Sequence, residues 1–283
     1  MRSLFDIPAP AKLNLFLHVV GRRADGYHLL QSVFTLIDWA DTIHLERRAD
    51  GALERHDLTA ELPADDLCLR AARALQAESG CTVGADISIA KQVPWGAGLG
   101  GGSSDAASTL LALNRLWGLR WPRKRLLGLG ATLGADVPFF IGGDHAFVEG
   151  IGEKLTPLAL PAQRFVVVKP AASLATAEIF GSPDLTRDTE PVILTGSLAS
   201  AEFGRNDLQP VAEARCPEVR AAAEWLKGRF GNSRMTGSGS AVFARVGIEE
   251  SSLAAWPAQS LPGPWVVRSC RSLDHHPLRG WAG

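Results

Sequence analysis

The run Pro94-Trp95-Gly96-Ala97-Gly98-Leu99-Gly100-Gly101-Gly102-Ser103-Ser104-Asp105-Ala106-Ala107 places five glycines in residues 96–102 and follows them with two serines. It then enters an alanine-rich segment in which Ala106, Leu110, Leu113 and Trp117 recur at helical spacing. Without a Cβ, glycine adopts positive φ readily, so several backbone N–H groups can turn toward one point. A helix beginning there adds unpaired amides and the positive end of its dipole. Such a loop is suited to cradling a polyphosphate.

The loop is not of the GxxxxGK[ST] kind, because no lysine follows the glycines. A formal GxGxxG does occur at 96–101, but the preceding strand ends upstream at Pro94 and no acidic residue closes a second strand about 20 residues on. A plain flexible linker is disfavoured, since Leu99 interrupts the glycines and Ser103-Ser104-Asp105 reads as a helix-capping sequence. The two hydroxyls suit phosphate oxygens or Mg²⁺ as well as capping.

The rest of the chain sets the frame. With 283 residues it is long enough for two domains, and 46% hydrophobic with 21% charged residues is ordinary for a globular protein. A net charge of -1 gives no electrostatic case for nucleic acid or an acidic membrane surface. No apolar run approaches the roughly 20 residues of a membrane span, and Pro8 and Pro10 interrupt the start before any signal-like core develops, so a cytoplasmic location is expected. Cys68, Cys81, Cys216 and Cys270 lack CxxC pairing and read as reduced thiols. The apolar residues can all serve a core, so they fix no oligomeric state.

Strands and helices are mixed throughout. Residues 11–19 alternate, with Ala11, Leu13, Leu15, Leu17 and Val19 on one face and Lys12, Asn14, Phe16 and His18 on the other. Extended structure is expected again at 29–45, 86–91, 165–169 and 241–246, and helices at 66–79, 104–117, 122–133 and 217–230. Residues 182–204 read as a connection rich in turn formers. A domain boundary is expected near 150–160, dividing the chain into 1–155 and 156–283.

Beyond the loop, four features carry chemistry. Asp136 sits in Gly134-Ala135-Asp136-Val137-Pro138-Phe139-Phe140, where a carboxylate must be paired or hydrogen-bonded; on residue type alone it reads as a turn or capping aspartate. Lys12 on the first strand reads on its own as a solvated edge charge. Together near a nucleotide, an Asp that accepts a hydroxyl proton and a Lys that stabilises charge fit phosphoryl transfer. Tyr27, the only tyrosine, and His28 follow the Asp25-Gly26 turn and suit stacking on a ring, or simple packing. Met235-Thr236-Gly237-Ser238-Gly239-Ser240 is a second glycine and hydroxyl cluster, either closing over phosphates or forming a tight turn.

In this order the pieces resemble the GHMP kinase superfamily: Pro10-Ala11-Lys12-Leu13-Asn14-Leu15, Arg23-Ala24-Asp25-Gly26-Tyr27-His28, Leu99-Gly100-Gly101-Gly102-Ser103-Ser104, Leu133-Gly134-Ala135-Asp136-Val137-Pro138 and the Thr236 cluster. The resemblance covers nearly the whole chain and points to the branch acting on a cytidylyl-linked sugar alcohol of the non-mevalonate isoprenoid pathway. It implies an α+β fold in two parts, a ribosomal-S5-like N-terminal domain and a C-terminal α+β domain with the active site in the cleft between. It also implies ATP-dependent phosphorylation of the 2-hydroxyl of a methylerythritol unit.

Carried over position by position, Asp136 is the base and Lys12 its electrostatic partner. Asn14, Tyr27, His28, Phe34 and Phe180 lie on the substrate. Lys91, the run from Pro94 through Trp95, Gly96, Ala97, Gly98, Leu99, Gly100, Gly101, Gly102 and Ser103 to Ser104, and Thr236, Gly237 and Ser238 lie on ATP. Mg²⁺ is expected with the ATP, with no protein ligand set identified. Asp66 and Asp105 stand where the family has Asn usually and often, respectively. At Asp66 the change removes an amide donor and adds charge, in a place where the family residue would face the adenine.

Two other readings compete. A superfamily kinase for a homoserine- or mevalonate-type alcohol would have no use for Tyr27-His28, and a non-catalytic sugar or nucleotide binder would have none for Asp136 with Lys12.

Overall fold

The structure is a computed structural model in which residues 1–193, 203–247 and 261–282 are described. It consists of two sheets with helices on their outer faces. The first sheet has six strands in the order β3 (Leu53–Asp57), β4 (Gly84–Ala90), β2 (His28–Arg48), β5 (Ala146–Gly150) and β6 (Lys154–Pro157), with β1 (Ser3–Arg22) paired along β2. The long antiparallel β1–β2 hairpin turns at the expected Asp25-Gly26, and Gly26 takes φ +91° there. β2 changes neighbour halfway, pairing β5 along 30–34 and β4 along 42–48. The second sheet is β10 (Val266–Arg271), β7 (Arg164–Lys169), β9 (Val242–Val246) and β8 (Arg234–Met235).

Apolar patterning explains the layering. α1 (Leu67–Ser79), α2 (Gly101–Leu116), α3 (Arg123–Leu133) and α4 (Val137–Gly142) bury Leu75, Leu110, Leu113, Leu126 and Phe139 against one face of the first sheet. Alternation in β7 serves two cores at once: Phe165 and Val167 face the space between the sheets, while Val166 and Val168 face the helices beyond. Those outer helices are α5 (Thr176–Phe180), α6 (Gln209–Arg215) and α7 (Pro217–Phe230), the last burying Val219, Ala222 and Leu226.

β1 departs from the expected half-solvated strand. Bulges between Pro10 and Lys12 and between Asn14 and Leu17 interrupt its register, and both of its faces are buried from Ala9 to Val19. Ala9 joins the first core, Leu13 and Leu15 the second, Leu17 and Val19 the third. At its far end the Leu17 and Asp207 backbones pair across the molecule, with Leu17 N donating to Arg205 O at 2.9 Å and Asp207 N to Leu17 O at 2.8 Å. Lys12 is therefore no edge charge; it is 3% exposed.

The sheets change hands between Pro157 and Arg164, beside the expected boundary. The end of the chain then returns: His276 N donates to Gly143 O at 2.7 Å, and Leu278 and Ala282 enter the first core. The 182–204 connection falls partly outside the described residues.

Candidate active site

The glycine loop is clamped between β1 and the Thr236 turn. Lys12 N donates to Leu99 O at 2.9 Å, the Ser104 hydroxyl to Pro10 O at 2.7 Å, and Ala241 N to Ala97 O at 3.2 Å. Gly96, Gly98 and Gly100 all take positive φ, between +61° and +73°. The Thr236 hydroxyl reaches Gly98 O at 3.3 Å and accepts from Asn14 N at 3.0 Å. The cluster at 235–240 is thus a tight turn and a brace for the loop at the same time.

A Cβ at Gly98 would lie 2.1 Å from the Thr236 carbonyl oxygen. The left-handed backbone alone disfavours a side chain by about 1–2 kcal/mol, and the clash adds to it. Gly98→Ala is expected to lower Tm by more than about 3 °C and to raise the KM for ATP. An unchanged melting curve with unchanged ATP kinetics would show that the two turns do not meet this closely.

Gly100, not a serine, is the N-cap of α2, and no side chain caps the helix. This corrects the capping reading of Ser103-Ser104-Asp105. Ser104 is spent on Pro10 O, and Asp105 lies 2.5 Å from the Lys91 ammonium. The first amides of a 16-residue helix are left without a side-chain acceptor, and Gly100, Gly101 and Gly102 at its start line the smaller of two cavities. That is a donor set suited to phosphate oxygens.

Lys91 is gripped by Asp41 as well as Asp105, and Asp41 also accepts from the Gln92 and Val93 amides. Burial opposes the Lys91 charge, but the two carboxylates outweigh it and raise its pKa. Burial, together with Asp41, pushes the Asp105 carboxyl up against the pull of Lys91. The Lys91 side chain still forms part of a cavity of about 380 Å³ with Leu62, Asp66, Trp95 and the loop. Asp66 caps α1 by accepting from Leu69 N at 3.1 Å and lies 2.9 Å from Arg55. Its charge is matched by that guanidinium.

On the other side of the loop lies a cavity of about 720 Å³. Gly96, Gly98 and Gly100 line both cavities, so the loop is their common wall. Lys12, Asn14, Tyr27, His28, Phe34, Asp136, Phe180, Gly237 and Ser238 all line the larger one. Asp136 opens α4 without capping it, which leaves its carboxylate 3.5 Å from the Lys12 ammonium. Asn14 Oδ1 accepts from Lys12 Nζ at 2.5 Å and Asn14 Nδ2 donates to Ser32 Oγ at 3.0 Å. The Phe34 ring lies 4.3 Å from the ammonium, so its face supports Lys12. A buried ammonium without such partners would cost several kcal/mol.

Tyr27 stands 60% exposed at the rim, on a turn closed by Arg23 N to Tyr27 O at 2.7 Å. The His28 ring sits 5.2 Å from that of Phe180, tilted 33°. Burial and the Arg187 and Arg22 charges lower the His28 pKa, keeping the ring neutral. Among the described residues, the only cluster of metal-type ligands is Glu54, His56 and Asp86, which lines neither cavity and is bridged by Arg48. Arg187, which touches His28 from 159 residues away, carried no sequence signal.

The family model described as GHMP kinases N terminal domain matches residues 66–144, and that described as GHMP kinases C terminal matches 196–255. A 4-diphosphocytidyl-2-C-methyl-D-erythritol kinase of Methylibium petroleiphilum is 65% identical over 100% of this chain and 99% of its own. A crystal structure of a 4-(cytidine 5'-diphospho)-2C-methyl-D-erythritol kinase superposes with TM-score 0.79 at 33% identity, covering 95% of this chain and 98% of that one. Methanococcus jannaschii mevalonate kinase, at 15% identity and TM-score 0.69 over 96% and 98% of the chains, shares the fold. The α+β two-part architecture and full-length relatives together establish that the chain belongs to the GHMP kinases, in the 4-diphosphocytidyl-2-C-methyl-D-erythritol kinase family.

Proposed function

We propose that the protein transfers a phosphoryl group from ATP to the 2-hydroxyl of 4-diphosphocytidyl-2-C-methyl-D-erythritol, a step of the non-mevalonate isoprenoid pathway, in the cytoplasm. The observation that carries this reading is the convergence of Asp136, Lys12, Tyr27 and His28 on one cavity walled by the glycine loop. The smaller cavity takes the nucleotide, with Trp95 and Leu62 near the base and the uncapped amides of α2 on the phosphates. Pro94 to Ser103 form the cradle. The expected ATP contacts Ser104 and Thr236 are buried and brace it from behind through Pro10 O and Gly98 O, while Gly237 and Ser238 line the larger cavity on the other side of the loop. Lys91 serves by balancing Asp41 and Asp105 in the wall of that cavity. We place the boundary between the two halves just after Pro157, slightly later than the expected 155–156, because β6 still pairs with β5 of the first sheet and the change of sheet follows it.

Asp136 takes the proton of the acceptor hydroxyl, and Lys12, 3.5 Å away, orients that carboxylate while offering positive charge to the oxygens of the moving phosphoryl group. Asn14 and Phe34 hold the ammonium in place. Tyr27, His28 and Phe180 hold the cytidine, which makes the long substrate an orienting handle for its distant hydroxyl. Mg²⁺ bound with ATP supplies charge neutralisation. Among the described residues the cleft holds no three-carboxylate set, so the ion would be held chiefly by phosphate and water, with the Ser103 hydroxyl and Asp136 as protein oxygens near it.

Consumption of ATP should depend on the cytidylyl substrate and should not be supported by homoserine or mevalonate. Turnover of either small alcohol without the cytidylyl compound would overturn the assignment.

A further inference from the structure

We infer that Arg187 is a positioning residue for base recognition: it fixes the tautomer of His28 so that the ring always presents Nδ1–H to the cavity. Arg187 Nε donates to His28 Nε2 at 3.0 Å. A guanidinium has no acceptor and stays protonated, so Nε2 must carry a lone pair and the proton of the neutral ring must sit on Nδ1. Nδ1 has no hydrogen-bond partner among the described residues, and His28 lines the large cavity.

The guanidinium itself cannot swing. Its Nη1 donates to Leu185 O at 2.9 Å, and its Nη2 to Ser182 O at 2.6 Å and Phe180 O at 3.2 Å. One residue therefore orients both the His28 ring and the backbone that carries the neighbouring Phe180 ring. The charges acting on His28 are Arg187 and Arg22, both opposing protonation after burial. Asp25 of the same turn is paired with Arg23, and Glu178 of α5 lies beside Arg215, so neither offsets them. A fixed N–H donor suits a pyrimidine edge that offers an acceptor, as cytosine does through N3 or O2. This inference rests on the cytidylyl reading given above.

In uniformly ¹⁵N-labelled protein, the His28 ring shifts should report a protonated Nδ1 and a bare Nε2 at pH 7.5; an Nε2–H ring would overturn the proposal whatever the substrate proves to be. Steady-state kinetics at saturating ATP supply the functional arm. Arg187→Met should raise the KM for the cytidylyl substrate about five- to tenfold at pH 8, the worth of one hydrogen bond, with kcat within about twofold. Loss of the Arg187 charge removes one of the causes that lower the His28 pKa, although burial and Arg22 still hold it below its ordinary value. As pH is lowered into the acid range, the released ring becomes an imidazolium with donors on both nitrogens before that of the parent does. The defect should therefore shrink there, and KM of the parent should not follow it.

A defect of the same size at every pH would mean that Arg187 acts only by packing, and the proposal would be lost. In a His28→Asn background, Arg187→Met should add nothing to KM, whereas an undiminished effect there would equally refute it. Arg187→Lys, which keeps one donor but not the fork, should fall between parent and Met variant. Should the parent fail to act on the cytidylyl compound, the function reading falls, while the ring tautomer still decides the role of Arg187.

Discussion

Asp136→Asn is expected to reduce kcat by about 10²–10⁴-fold, the range supplied by a positioned general base, with KM for ATP and for the cytidylyl substrate changed little. The amide keeps the size and shape of the carboxylate but cannot accept a proton at neutral pH. Among the described residues no other carboxylate can replace it, because Asp25 at the rim pairs with Arg23, and Asp41 and Asp105 are held by Lys91 behind the loop, while the His28 ring is engaged with Arg187. Fold and binding should survive, since Asp136 caps nothing in α4 and its side chain is 29% exposed. The check is kcat beside isothermal binding of both substrates. Near-parental turnover would show that transfer proceeds without a base here and would remove Asp136 from the role assigned.

Lys12→Met should cost about 10²–10³-fold in kcat, comparable with deletion of one preorganised charged donor at a developing negative charge. Methionine fills the channel between Gly100 and Phe34, which a Lys side chain now occupies with its Cγ and Cε 3.2 Å from where a Gly100 Cβ would stand. Packing is thereby kept while the ammonium is lost. Asn14 Oδ1 retains the Thr236 hydroxyl at 3.4 Å, so the melting temperature should move far less than the rate. Because Lys12 acts on the same carboxylate as the base, its removal in an Asp136→Asn protein should have a much reduced effect. Fully additive losses would mean that Lys12 works on phosphate alone.

How much of this was legible in the sequence differs from element to element. The glycine run, the Asp25-Gly26 turn and the strand at β7 were, because each depends on local backbone freedom or on side-chain alternation. Local patterns failed where distant segments intrude. Lys12 read as an edge charge because alternation cannot reveal that α2, the loop and α4 cover the second face of β1. The serines after the loop read as caps because a Ser-Ser-Asp triplet cannot announce that Pro10 O and Lys91 will claim it. Asp66 read as an added charge in place of an amide donor, and Arg55, which matches it, meets it only in the folded chain. Arg187 lies in a connection with no periodicity, and its meaning comes only from the carbonyls and the ring it meets.

The brace between Gly98 and Thr236 also orders events during synthesis. The phosphate loop leaves the ribosome well over a hundred residues before the turn that must press on it, and the β1 pairing with Asn206 forms only in between. A nascent chain can thus complete the first sheet and its helices while its catalytic pocket still lacks a wall. The loop is braced only once the Thr236 turn has been made, so a chain that ends before it is expected to lack kinase activity.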